Sequence, residues 1–334
     1  MQQYSNVSGI PLSIAVFLAT DHYDHNPDPN TISATTLLKS VRQIVLSGRN
    51  TSEDVSVDLM NMMPSRLGTA IHNGIEDAWK SNYQNAMKAL GYPDKVIKKV
   101  VINPVKTTDL SDLIPVYMEQ RAHKQVGSYT VSGKFDFIGD GRVEDFKSTT
   151  AYSVMSGNNN EKYSWQGSIY RWLNPEIITK NDIAIQFILT DWSKIKAMSD
   201  PKYPQQRSLE RIIPLKSVKE TEIFIHQKIA LIEQYKDSPE EMIPLCTDDD
   251  LWRSEPQFKY YKNPASTKRS TKNFDNKQDA YFRLSEDGNV GVVREVPGSV
   301  MACKYCAAFT LCSQKDALIA NGDLLMEQST KGNY

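Results

Sequence analysis

The hydrophobic positions along this chain change period several times, and each change marks a segment. Ile32, Leu37, Leu38, Val41, Ile44 and Val45 share one helical face, which predicts a helix that ends near Gly48, with Ser33 as a candidate cap. Leu67, Ala70, Ile71, Gly74, Ile75, Ala78 and Trp79 repeat that period and predict a second helix over about 65–89, stopped by Gly91 and Pro93. Between 117 and 149 the period shortens to two. Tyr129, Val131, Gly133, Phe135 and Phe137 alternate with polar residues, Gly139, Asp140 and Gly141 form a turn, and an alternating segment returns over 143–147. This is the pattern of a β-hairpin. A helix over about 164–173, a strand over 183–190 and a long helix over 218–235 follow. The last hundred residues mix loops with short elements and hold every cysteine.

Ahead of these segments, residues 1–30 read as an irregular arm. Asp21, His22, Asp24, His25, Asn26, Pro27, Asp28 and Pro29 make a turn-rich cluster there. His22, Asp24 and His25 are metal-ligating types, but the Asn-Pro-Asp-Pro-Asn tail is better explained as a loop. No internal repeat and no low-complexity tract is present.

Composition narrows the class. With 334 residues, 40% hydrophobic, 24% charged, 16 Gly, 16 Pro and four Cys, the chain is neither disordered, nor collagen-like, nor a disulfide scaffold. Its longest apolar run, over 10–19, is broken by Pro11 and Ser13 and is about half of what a bilayer requires. No basic signal-like start precedes it, so the expectation is a protein of a reducing cytoplasm with no membrane partner. A balance of 39 basic and 40 acidic side chains leaves nucleic acid open, because a local groove can be offset by acidic surface elsewhere. One basic stretch interleaved with aromatics stands out: Lys259, Tyr260, Tyr261, Lys262, Lys268, Arg269, Lys272 and Lys277. Such a run is either solvated surface or a nucleic-acid contact.

The hairpin carries the chemistry. Asp136 lies on its first strand, within Gly133-Lys134-Phe135-Asp136, and Glu144-Asp145-Phe146-Lys147 lies on its return. Alternation places Asp145 and Lys147 on one face and Glu144 and Phe146 on the other, with Asp136 able to approach Asp145 from the paired strand. Two carboxylates and a lysine gathered on one sheet face repel and desolvate one another unless a divalent cation draws them together. Oxygen ligands suit Mg²⁺ or Mn²⁺, and the lysine can orient or deprotonate an attacking water. The plainer alternative is a surface hairpin with a cross-strand salt bridge. His72, on the second helix, and Glu119, 17 residues before Asp136, precede the hairpin, while Gln166 and Tyr170 follow it at i and i+4 on one helical face.

The order His72, Glu119, Gly-x-x-Asp136, Asp145-x-Lys147, Gln166-x-x-x-Tyr170 resembles the PD-(D/E)XK nuclease superfamily, in its RecB-like exonuclease branch, over about a third of the chain. The resemblance implies an α/β fold: a restriction-endonuclease-like core, with a central mixed sheet of four or five strands flanked by helices. It implies metal ligation by His72, Asp136, Asp145 and the main-chain carbonyl of Phe146, with Lys147 as the catalytic lysine. Glu119 would bind metal, position water or brace the strands. Gln166 and Tyr170 would contact DNA or support the site. The plainer readings of His72 and Tyr170 are packed core residues, and Glu144, pointing away, serves as an internal control.

Cys303, Cys306 and Cys312 form Cys-x₂-Cys-x₅-Cys, and Cys246 supplies a distant fourth thiolate. In a reducing compartment this reads as a metal site rather than as disulfides. The spacing resembles that of nucleases in the superfamily that hold a [4Fe-4S] cluster, and the cluster would tie the C-terminal segment back to the core. In those relatives the distant cysteine precedes the nuclease motifs, whereas Cys246 follows them, so Zn²⁺ stays as the alternative. The organisation expected is an arm at 1–30, a nuclease core at 31–240 and a cysteine-cluster region at 241–334. The function implied is a Mg²⁺-dependent DNA exonuclease of recombination, repair or replication. It would act on DNA ends or single strands, alone or beside a helicase or an annealing protein. The alternative is a non-catalytic DNA-binding recombination accessory protein with a structural Fe-S or Zn site.

Overall fold

The computed structural model describes residues 3–21, 26, 28–50, 57–266 and 268–326. The chain divides into two units. One comprises Met1–Leu38 with Ser52–Ala230, the other Lys39–Thr51 with Leu231–Tyr334. The expected arm therefore belongs to the first unit, and a short early segment belongs with the C-terminal residues.

The arm is not irregular throughout. It carries strand β1 (Tyr4–Ser5) and helix α1 (Leu12–Ala19), in which Leu18 is fully buried. Leu18 clusters with Ile10 and Leu59, so the apolar run is spent on packing. His22, Asp24 and His25 lie outside the described residues.

The helix expected from Ile32 is three elements: β2 (Thr31–Ser33), α2 (Ala34–Leu37) and α3 (Val41–Arg49). Two serines cut it. Ser33 caps α2 by accepting from the Thr36 amide at 3.0 Å, and Ser40, in extended conformation, caps α3 by accepting from the Gln43 amide at 3.1 Å. After β3 (Val57–Asp58), which pairs in parallel with β1, comes α4 (Leu59–Ala89). It begins ahead of the expected start because the Asp58 side chain accepts from the Met60 amide at 3.0 Å, and it holds Pro64 in its second turn. Gly91, at φ +86°, follows its end as expected.

The rest of the first unit runs α5 (Asp94–Ile97), β4 (Val100–Ile102), β5 (Ile114–Met118), β6 (Arg121–Val126), β7 (Tyr129–Lys134), β8 (Phe137–Gly139) and β9 (Arg142–Thr149). Then come α6 (Ala151–Ser156), α7 (Asn160–Leu173), β10 (Asp182–Leu189), α8 (Lys194–Ser199), β11 (Ser208–Pro214) and α9 (Val218–Tyr235), whose residues from Leu231 on belong to the second unit. Six strands, rather than four or five, form a mixed sheet in the order β11-β10-β9-β8-β5-β4, and β2, β7 and β6 form a smaller one. The architecture is α/β, with mixed sheets flanked by helices.

The hairpin is present as β8 and β9 around Asp140-Gly141, with Phe137 opposite Glu144. Its first strand is shorter than the alternation predicts. The chain leaves the small sheet at Lys134 and joins the large one at Phe137, so Phe135 and Asp136 form a crossover between sheets. Apolar alternation continues through the crossover because Phe135 is as buried as its neighbours, and only the pairing partner changes.

The faces of the large sheet are covered differently. Trp79, Tyr83 and Met87 of α4 pack on Val116, Met118, Phe137 and Phe146. Helix α7 lies on the other face, touching β9, β10 and β11 as well as both long strands of the small sheet. It is buried from Gln166 to Trp172, and its hydroxyls are matched: Ser164 donates to the Pro214 carbonyl at 2.6 Å and Ser168 to that of Ser164 at 2.6 Å. Close approach depends on Gly167. A Cβ there would stand 2.7 Å from Leu215 Cδ2 and 3.0 Å from Ile183 Cβ.

In the second unit, α3 packs Val41, Val45 and Leu46 against Ile243 and Ala308. A sheet of β12 (Gln257–Tyr261), β13 (Lys272–Phe274) and β14 (Val292–Val296) carries α10 (Lys277–Glu286) on one face, and α11 (Ser313–Ala320) follows two 3-10 turns. No helix among the described residues is long and apolar enough to cross a membrane.

Gly167→Ala should lower stability by about 1–3 kcal/mol, the range for overpacking a filled core. Gly74→Ala, on α4 with nothing within 4 Å of the new Cβ, should be neutral or stabilising by up to about 1 kcal/mol. Urea unfolding of both variants tests the pair, and a Gly167→Ala protein as stable as the parent rules out the tight helix–sheet contact.

Candidate functional site

Four elements of the first unit bring the predicted residues together. Asp136 sits at the crossover, one residue before the Phe137–Glu144 pair, and continuing the hairpin register by one residue brings it level with Asp145 on β9. Its Oδ2 accepts from the Phe146 amide at 2.8 Å and stands 3.5 Å from His72 Nδ1. The other ring nitrogen, His72 Nε2, is 2.9 Å from the Phe146 carbonyl, the main-chain oxygen expected to face a metal. Burial works against a charged His72 ring, but the hydrogen bond and charge of Asp136 outweigh it and raise its pKa.

Glu119 arrives from the turn after β5. Its backbone is left-handed, at φ +52°, an uncommon conformation for a side chain without a local hydrogen-bonding preference for it. The Glu119 amide donates to the Asp136 carbonyl at 3.1 Å, and its carboxylate pairs with Lys134. Burial raises the Glu119 pKa, with Lys134 acting in the opposite direction. One ligand atom each from His72, Glu119 and Asp136 lie within 4.8 Å of one another.

Asp145 is outside that trio but adjoins it. It is 1% exposed, on a strand flanked by β8 and β10. Gln166 Nε2 donates both to Asp145 Oδ1 and to the Tyr170 hydroxyl, at 2.9 Å each, so the i and i+4 residues of α7 act as one bracket. Asp145 Oδ2 has no hydrogen bond and relies on an ion pair with the Lys147 ammonium. Burial drives the Asp145 pKa up to about 6, Lys147 pulls it down, and Asp136 pushes it up further. Burial also opposes charge on Lys147, yet Asp145 and Asp136 hold its pKa above the ordinary value. Glu144 points away, as alternation requires: its carboxylate accepts from Gln186 at 2.9 Å and lies 3.7 Å from Arg142.

His72 and Tyr170 are thus not merely packed; both touch the polar cluster. Sequence reasoning left two residues unassigned. Lys134, inside the Gly-x-x-Asp motif, holds Glu119, and Tyr163 on α7 places its ring 5.9 Å from Lys147 Nζ. Lys134 stands two residues before Asp136 in the alternating segment of the sequence, which is the available signal; Tyr163 gives none.

The donors fit a hard divalent cation. Imidazole and carboxylate oxygens converge beside a carboxylate whose pKa is raised by burial, a cost that a bound cation would offset.

The four cysteines gather in the second unit, and none is in a disulfide. They line one cavity of about 30 Å³ together with Arg42 and Gln314. Ser40 Oγ is 3.1 Å from Cys246 Sγ, and the Arg42 Nε donates to Cys312 Sγ at 3.3 Å. Gln314 brackets Cys246, accepting from its amide and donating to its carbonyl at 2.9 Å each. Burial and the neighbouring sulfurs raise the Cys246 thiol and push Cys303 up to about 11. Thiols that raise one another in this way fit a bound cation, which stabilises their thiolates. Ser40 and Arg42 come from α3, and no spacing in the sequence connects them to the cysteines.

No family model and no curated protein matches the chain. Among solved structures it is similar to the crystal structure of SSO0001, at 16% identity and a TM-score of 0.39 over 70% of this chain and 89% of that one. A likeness that loose defines no fold.

Asp145 supplies a test by titration. A carboxyl whose folded pKa stands above its unfolded 3.8 takes up a proton on folding, so its contribution improves as pH falls from about 6 towards 4. Lys147 stays protonated throughout that window. In EDTA, the stability difference between the parent and Asp145→Asn should therefore shift towards the parent, by on the order of 1–3 kcal/mol, between pH 7.5 and pH 4. Urea unfolding at both pH values measures it; a difference independent of pH contradicts the buried-carboxyl assignment.

Proposed function

We propose that this protein is a metal-dependent DNA exonuclease built on a restriction-endonuclease-like core, with β8, β9, α4 and α7 as its active-site elements. The observation that carries the reading is the setting of Asp145: fully buried, bracketed by Gln166 and Lys147, and opposite an Asp136 already grouped with His72 and Glu119. A structural salt bridge on a surface hairpin has no need of burial, of a glutamine bracket or of three further ligating groups.

His72, Asp136, Asp145 and the Phe146 carbonyl would hold Mg²⁺ or Mn²⁺, with Glu119 beside them. When bound, such an ion supplies Lewis acidity toward a phosphate oxygen and acidity to a coordinated water. The remaining work belongs to the chain. Lys147, protonated in the metal-free protein, is a hydrogen-bond donor that can orient the attacking water and offset charge on the phosphate. Gln166, fixed by the Tyr170 hydroxyl, keeps one oxygen of Asp145 engaged so that the other stays turned toward Lys147. Lys134 restrains Glu119 through its ion pair.

In the second unit the four cysteines would hold a [4Fe-4S] cluster. A lone zinc at about 2.3 Å from each sulfur draws the sulfurs to within about 4 Å of one another. Among the described residues the four sulfurs line one cavity, where either group would find four thiolates. A four-iron cube spreads its thiolates further apart than one ion does.

Mg²⁺ should support digestion of linear DNA labelled at its 5′ or 3′ end, and EDTA should stop it. Asp136→Ala, Asp145→Ala and Lys147→Ala should each lower the rate at least about a hundredfold, and Glu144→Ala only a few-fold. Equal digestion by all four variants would mean a contaminating nuclease and remove the reading; DNA binding without digestion by the parent would favour an accessory protein. Anaerobic purification should yield a brown protein with about four irons per chain. One zinc and no visible absorption would assign the cysteines to zinc.

A further inference from the structure

We infer that the β12–β13 hairpin of the second unit is a docking surface for the phosphate backbone of DNA. The inference rests on the nuclease reading only for the choice of DNA as the polyanion.

Residues 259–277 carry Lys259, Lys262, Lys268, Arg269, Lys272 and Lys277 against the single acid Asp275. In a chain whose net charge is −1, that is a strong local excess of positive charge. None of the six forms an ion pair among the described residues. Arg283 beyond them is paired, with Glu286 and Asp287. Asp287, whose carboxylate feels the charge of Lys262, is already occupied by the Tyr260 hydroxyl at 2.8 Å and by Arg283 at 3.0 Å.

The fold holds the cations of β12 and of the loop after it in place, while Lys272, opposite Tyr260, lies on the other face of the sheet. Phe258, Tyr260 and Phe274 share the face of the sheet where α10 packs, with Tyr260 buried completely. The opposite face sets Lys259 directly beside Arg294 of β14, a like-charge cross-strand pair that is unfavourable without an anion nearby. Arg294 stacks 4.9 Å over the Tyr261 ring and donates to the carbonyls of Pro264 at 2.7 Å and Ser266 at 3.2 Å. It thereby holds Pro264 and Ser266 in the connection that follows β12. The same connection is closed by the Lys262 amide on Thr271 Oγ1 at 2.9 Å and by Ser266 Oγ on the Arg269 carbonyl at 3.2 Å. Lys262, Lys268 and Arg269 are exposed on this fastened loop. A solvated run of charge needs no such fastening, whereas cations pre-ordered along a strand and its loop match the repeating phosphates of a polyanion.

The test is equilibrium binding of the full-length protein to a labelled single-stranded oligonucleotide in EDTA, where cleavage plays no part, across a salt series. Lys262→Ala/Lys268→Ala/Arg269→Ala should bind at least about tenfold more weakly at low salt, with a log–log salt slope shallower by about 2, given about 0.7 per phosphate contact on single strands. The lysine-to-arginine pair Lys262→Arg/Lys268→Arg should keep both affinity and slope. Unfolding midpoints equal to the parent's for both variants establish that the fold is intact. Equal affinity and slope for the parent and the triple alanine variant overturns the inference, as does a parent that binds phosphatidylserine vesicles through this loop and not the oligonucleotide. Binding through the hairpin by a protein that never digests DNA leaves this inference standing and removes the nuclease reading instead.

Discussion

The first unit is organised around a carboxylate placed where water cannot reach it. Asp145 lies on a strand flanked on both sides, and a charge in that position costs several kcal/mol unless protein groups replace the lost hydration. Those groups come from different directions. Gln166 reaches it from α7, Lys147 from two residues along its own strand, and the Asp136–His72 pair stands next to it. For Gln166 to arrive, α7 must lie against the sheet at glycine distance, which is why the residue following Gln166 is Gly167. The compensation is incomplete, as the raised pKa of Asp145 records. Natural cores rarely leave such a deficit, and where they do the deficit points to chemistry.

The second unit answers a different constraint. Two small apolar clusters, one around Val41, Leu46 and Ile243 and one around Leu251, Val300 and Leu318, are each edged by cysteines rather than by further aliphatic side chains. Arg42 is 2% exposed among them, and its charge is met by Glu240 and by the sulfur of Cys312. The same guanidinium donates to the backbone carbonyls of Glu240 at 3.2 Å and Ile243 at 3.1 Å, which fixes it at the edge of the cysteine cavity. The early segment containing α3 belongs to this unit for the same reason: it brings the cation and the Ser40 hydroxyl that the cysteines lack locally.

How much of this could be read from the chain depended on whether the signal was local. The β8–β9 hairpin, the direction of Glu144 and the Gln166–Tyr170 bracket follow from the strand period and the i, i+4 rule, which need only a few neighbouring residues. The crossover at Phe135–Asp136 was invisible because side-chain alternation survives a change of pairing partner. The division of the 32–45 pattern was hidden in a similar way: apolar spacing continues across Leu38–Ser40, and only the capping hydroxyl of Ser40 marks the break. Helix α1 was missed because its run, apolar but for Ser13, lacks the polar face by which an amphipathic helix is recognised. Arg42 had no signal at all. A basic residue on an exposed-looking helix becomes a partner of Cys312 only through a contact between residues 270 positions apart.

The two donor sets differ in kind, and that difference has a consequence of its own. The first unit offers imidazole and carboxylate oxygen; the second offers sulfur from all four cysteines around one cavity. Hard ions with firm hydration gain little from thiolates, whereas soft thiolates hold iron or zinc more firmly than an oxygen set does. The donor chemistry alone therefore separates the two sites: an oxygen and imidazole set suits a hard, exchangeable ion, and a sulfur set suits a soft, firmly held one.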